Sequence, residues 1–80
     1  MSKPRRLSGA DVVRILKIFG FEVESQRGSH LKLVRTVDGA RQVLLIPNHK
    51  ELRTGSVVAL FRQASAYIRE SELREHFYTL

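Results

Sequence analysis

Cysteine is absent from the 80 residues, which excludes disulfides and thiolate metal sites. Acidic residues are scarce: eight Asp and Glu stand against 14 Lys and Arg, for a formal net charge of +6. A field of that sign attracts polyanions and speeds their encounter, so RNA, DNA, an acidic protein surface or anionic lipid all qualify as partners. Long apolar runs are missing too. No stretch approaches the roughly 20 apolar residues of a membrane span. The basic start Met1-Ser2-Lys3-Pro4-Arg5-Arg6 is not followed by an apolar run of signal-peptide length. These absences make a soluble cytoplasmic protein, with no membrane contact, the expectation. A chain this short has no room for a second hydrophobic core, so one domain is expected.

What is present reads as alternating periods. Residues 1–7, basic and containing a proline, read as a flexible arm ahead of a single domain over 8–80. Ser8 suits a helix N-cap, with Asp11 in the place of the capping-box acid. Val12, Ile15, Leu16 and Phe19 recur at helical spacing, and Gly20 suits the residue just past the end, so a helix is predicted over about 9–19. Strand alternation follows in 21–26, in 30–35 after Gly28-Ser29, and in 42–46 after the hairpin signal Asp38-Gly39. The connections are short, which predicts an antiparallel meander. Thr54 suits the cap of a second helix, whose apolar positions are Val57, Leu60, Phe61 and Ala64. Residues 65–71 carry no clear period, and a short last helix over 72–78 would turn Leu73 and Phe77 inward. The expected class is α+β in the order α-β-β-β-α, a three-stranded antiparallel sheet with the helices on one face and a short C-terminal helix. Leu16, Phe19, Phe21, Val23, Leu31, Leu33, Leu60 and Phe61 are the expected core.

Alternation places Leu31 and Leu33 under the helices and His30 and Lys32 together on the open face. An imidazole and an ammonium beside Gly28 and Ser29 suit a phosphodiester. Lysine balances phosphate charge, and histidine moves protons near neutral pH. RNA carries its own nucleophile in the 2′-OH, so its cleavage requires no serine, cysteine, metal or cofactor. Against this, an exposed histidine on a strand is most often only that. His49, after Pro47-Asn48, fits a second acid or base, a phosphate contact or a plain loop residue. His76 reads as surface. The three histidines lack the short spacing of a zinc site. Glu22 and Glu24 are expected on the open face of the first long strand, where they would repel RNA. Arg27, Lys50 and Arg53 lie in or beside loops and suit backbone contacts that position without reading sequence. Arg35, Arg41 and Arg62 complete the basic set, whose alternative is a solvated basic surface. A DNA-binding regulator is disfavoured, since no helix-turn-helix spacing appears.

Taken in order, these motifs form a pattern. Gly20-Phe21 ends the first helix, and Gly28-Ser29-His30 opens a strand. Ile46-Pro47-Asn48-His49-Lys50-Glu51-Leu52 and Gly55 follow, then a helix ending Phe61-Arg62-Gln63-Ala64. Over residues 8–65 this resembles the HicA toxin family, also called the YcfA-like family. It departs from the family pattern in having Ala64-Ser65 where Ala-Gly is common, and in its longer tail. The resemblance implies a double-stranded-RNA-binding-like fold, cleavage of messenger RNA in a type II toxin–antitoxin system, His30 as the catalytic residue, and a HicB antitoxin covering the active face. The alternative is a non-catalytic RNA-binding module, or an inactive homologue that only engages a partner.

Overall fold

The computed structural model describes residues 2–79. Met1 and Leu80, the outer ends of the expected arm and domain, lie outside the described residues. The elements are β1 (Lys3–Pro4), α1 (Gly9–Ile18), β2 (Glu22–Arg27), β3 (His30–Val37), β4 (Ala40–Pro47), α2 (Thr54–Ala64), α3 (Glu70–Phe77) and β5 (Tyr78–Thr79). The class is α+β, as expected.

Helix α1 begins with a capping box. The Ser8 hydroxyl accepts from the Asp11 N–H at 3.0 Å, and the Asp11 carboxylate accepts from the Ser8 N–H at 2.9 Å. It ends in a Schellman motif: the Phe21 N–H donates to Leu16 O, and the N–H of Gly20, at φ 94°, donates to Lys17 O. The motif delivers Phe21 directly into the core, where it is fully buried. Helix α2 differs from expectation. Its N-cap is Arg53, which makes no side-chain cap bond, and Thr54 is the first residue inside. Helix α3 starts two residues early, at Glu70, with Glu70 and Glu72 in the first turn where the helix dipole favours acids.

Strands β2, β3 and β4 form the antiparallel meander, in that order. Asp38 and Gly39 both have positive φ, 51° and 78°, which gives the β3–β4 hairpin its type I′ turn. At the β2–β3 hairpin only Gly28 of the two turn residues has positive φ, 58°, the pattern of a type II′ turn. All three helices contribute to one core with the inward face of the sheet: Val12, Leu16, Leu33, Ile46, Val57, Leu73 and Phe77 are fully enclosed.

Three core expectations need correction. Val23 points toward the helix side, opposite Leu33, yet is 42% exposed. It sits on the outer edge strand, every residue of which is exposed. Phe19 and Leu31 are only partly buried at the margin of the core. The expected loose arm is tied down over its described part: Lys3 pairs with Thr79 and Pro4 with Tyr78. The Arg5 N–H donates to Phe77 O, and Leu7 is buried.

Candidate functional site

His30 opens β3 at the end of the sheet. It pairs with Arg27 across the β2–β3 hairpin and with Pro47 on β4. Directly paired residues share a face, so Arg27, His30 and Pro47 form one row, and Ser25, Lys32 and Leu45 form the next. All are on the sheet face opposite buried Leu33, Leu44 and Ile46, and α2 borders that face beyond β4. An open depression of about 470 Å³ is lined by Ser25, Arg27, His30, Lys32 and Leu45. Three of the expected site residues, Arg27, His30 and Lys32, are thereby brought together.

A bulge makes this grouping possible. The β2–β3 register skips between Val23 and Ser25, so Glu24 and Ser25 both stand against Lys32. Strict alternation from buried Phe21 would turn Ser25 and Arg27 toward the helices. With Glu24 inserted, both share the face of His30.

Charge on this face is partly internal. Glu24 accepts from Arg41 at 2.6 Å and lies 3.4 Å from Lys32 Nζ. The Arg41 hydrogen bond above all, with help from Lys32, holds the Glu24 carboxyl below its ordinary value of 4.5 and therefore ionised. Glu24 is thus capped by two cations and is not the bare repulsive carboxylate that the sequence suggests. Arg27 forms no ion pair among the described residues.

The remaining expected residues lie around this depression. Gly28 and Ser29 make the turn, and a Cβ at Gly28 would meet nothing within 4 Å. The positive φ, rather than a close neighbour, is what calls for glycine there. Ser29 O accepts from Asn48 N–H at 2.5 Å, which brings the loop after β4 against the turn. His49 follows with an exposed side chain, and its carbonyl accepts from Gly9 N–H at 2.8 Å. Lys50 and Arg53, also exposed, continue that loop, and none of the three lines the depression. His76 is elsewhere, edge-on to Phe19 at 5.6 Å. Among the described residues no three His, Asp or Glu side chains gather as a metal would require.

Sequence reasoning missed Leu45 and Gly9. Leu45 is 54% exposed on the edge strand β4, at the border of the depression that holds Arg27, His30 and Lys32. It was hidden inside the apolar run Val43–Ile46, although alternation alone turns it outward once Leu44 and Ile46 are assigned to the core. Gly9 is the point where α1 meets the end of β4: a Cβ there would lie 2.9 Å from Asn48 Cα. No local pattern announces that approach, because the loop it meets is about 40 residues further on.

The fold and the site together define a small α+β domain that presents one histidine between an arginine and a lysine on an open sheet face. Comparison with family models gives the particular assignment: residues 9–66 match the model described as HicA toxin of bacterial toxin-antitoxin. The chain belongs to the HicA toxin family, and an antitoxin partner goes with that membership. Comparison with curated proteins and with solved structures gives no match. No helix among the described residues is long and apolar enough to cross a membrane.

Proposed function

We propose that this toxin is an endoribonuclease that cleaves messenger RNA without a metal, with His30 as its catalytic residue and a HicB-like antitoxin as its inhibitor. The observation that carries the reading is the grouping of His30 with Arg27 and Lys32 on an open face, in a chain of the HicA family. Neutral His30 takes the proton of a ribose 2′-OH, and the 2′ oxygen attacks the adjacent phosphorus. The P–O5′ bond breaks, and the 5′ oxygen leaves with a proton from His49 or from water. Arg27 and Lys32 balance the charge that grows on the phosphate oxygens. Lys32 exchanges Glu24 for phosphate in doing so. The products are a 2′,3′-cyclic phosphate and a 5′-hydroxyl. Gly28 and Ser29 set the turn that presents His30, while Lys50 and Arg53 hold the RNA backbone beyond it. The antitoxin covers the same face, with exposed Leu45 as an apolar contact, so antitoxin and RNA exclude each other.

The test is a defined RNA incubated in chelator with the protein and with His30→Ala. Loss of a general base lowers the rate by about 10²–10⁴-fold. The melting temperature is expected to stay, because His30 is exposed. Lys32→Ala falls less, and DNA of the same sequence is left intact for want of a 2′-OH. Cleavage abolished by chelator, or 5′-phosphate ends, would refute the scheme. RNA binding with no cleavage at all would identify a binding module instead.

A further inference from the structure

His30 and Leu45 border a second depression, on the opposite side from Arg27 and Lys32. It is a cleft of about 350 Å³ between Leu45 and Pro47 of the sheet and Ser56, Ala59 and Gln63 of α2. Its character is the reverse of the first: apart from His30 on its rim, no ionisable side chain lines it. Ser56, Ala59 and Gln63 fall on one face of α2, with the two polar residues about 10 Å apart along the axis. Ala59 between them is small, and that keeps the cleft open. Gln63 is exposed, and its amide makes no hydrogen bond among the described residues. Its neighbours in Phe61-Arg62-Gln63-Ala64 are partly accounted for by packing, since Phe61 and Ala64 are buried. Packing gives no reason for Gln63.

We propose that this cleft is a nucleobase subsite, in which Gln63 reads the edge of one unstacked RNA base next to the phosphate held at His30. The inference rests on the ribonuclease reading for the position of that phosphate. A strand anchored between Arg27, Lys32 and His30 must put the adjoining base on one side or the other. The basic side is occupied by phosphate, and the other offers apolar walls and polar groups at each end. Sequence-selective RNA recognition works on splayed single-stranded bases of this kind. A glutamine amide carries donor and acceptor together, so it pairs with a base edge in bidentate fashion.

The experiment measures binding of four RNA heptamers that differ in one central base within a uridine background. The His30→Ala protein is used so that nothing is cut, and the unsubstituted protein is assayed for cleavage in parallel. One central base is expected to be preferred by at least about fivefold, the lower end for a bidentate contact. Gln63→Leu, and separately Ala59→Phe, which fills the cleft, reduce that preference to within about twofold. Both leave the salt dependence of binding in place, because it reports phosphate contacts and neither change alters charge. Damage to the fold would lower both together. Absence of any base preference, or a preference that survives both substitutions, overturns the subsite even if the unsubstituted protein cleaves RNA. A preference lost in both variants, in a protein that never cleaves, upholds the subsite and removes the ribonuclease reading. No RNA binding at all overturns both.

Discussion

Arg35 carries a positive charge that serves the fold. Its guanidinium donates to Gln42 Oε1 at 2.8 Å, to Phe19 O at 2.7 Å and to Tyr67 O at 2.9 Å, and it stands 4.9 Å over the Phe21 ring. One side chain thus joins the end of α1, the sheet and the segment before α3. Arg35→Met keeps the aliphatic stem but removes the donor to two partly solvated main-chain carbonyls and to Gln42, at a cost of about 1–2 kcal/mol. Arg35→Lys is expected to recover less than half of that, since an ammonium lacks the planar fork that reaches three acceptors. Urea denaturation measures both. The salt dependence of RNA binding is expected to stay unchanged, and lost affinity at full stability would make Arg35 a ligand contact after all. Sequence could not separate the cations by role. Arg35, Arg41 and Arg27 look alike along the chain, and only the folded structure shows that the first clamps the core, the second holds Glu24 and the third has no ion pair among the described residues.

At the scale of elements, the hairpin and the bulge decide the site together. Buried Phe21 and open-facing Arg27 are six residues apart, an even number that strict alternation would put on one face. A two-residue turn nevertheless fixes Arg27 opposite His30. One extra residue resolves the conflict, and it is Glu24. The strands, their order and the open position of His30 and Lys32 were legible, because each follows from a local period. The place of Arg27 was not, because it follows from two constraints that meet only in the folded hairpin. Gly28→Ala is therefore expected to destabilise by about 1–2 kcal/mol through its positive φ alone. Gly28→Asn, which tolerates that conformation, loses less. If thermal melting shows Gly28→Asn folded while cleavage has gone, the glycine also makes room for substrate. The capping box of α1 adds a pH signature. Asp11 is held below its ordinary value of 3.8 by the Ser8 backbone N–H first, then by the Ser8 hydroxyl, with Arg14 and Arg5 assisting. The folded state therefore binds this proton more weakly than the unfolded chain does. Its stabilisation is complete above the unfolded value and fades as pH falls through the lower folded one. Asp11→Asn is expected to lower the melting temperature at pH 7, and the difference from the unsubstituted protein closes well below pH 3.8.

Across the whole molecule, the folding unit is larger than the family signature. The match ends at residue 66, yet Ile68, Leu73 and Phe77 are buried in the same core as α1 and α2. Phe61, inside the matched segment, packs its ring against Phe77 at 5.6 Å and Tyr78 at 5.1 Å. Strands β1 and β5 then pair Lys3 and Pro4 with Thr79 and Tyr78, and the Arg5 N–H donates to Phe77 O. The inward turn of Leu73 and Phe77 was legible from their helical spacing. The pairing of the ends was not, since two-residue strands leave no period to read. A domain of this size has a stability toward the lower end of about 5–15 kcal/mol, so one large aromatic is a substantial part of it. Phe77→Ala is expected to remove about 3–5 kcal/mol. At roughly 4–8 °C per kcal/mol the melting temperature falls by more than about 12 °C. Glu75→Ala, exposed on the same helix, is the control and is expected to melt within a few degrees of the unsubstituted protein. Circular dichroism melts of the three proteins decide the matter. A shift of only a few degrees for Phe77→Ala would mean that α3 is an appendage and that residues 9–66 hold the fold by themselves. A large shift would mean that the tail holds α2 against the sheet, and with it the side of the His30 row that Ser56 and Gln63 form.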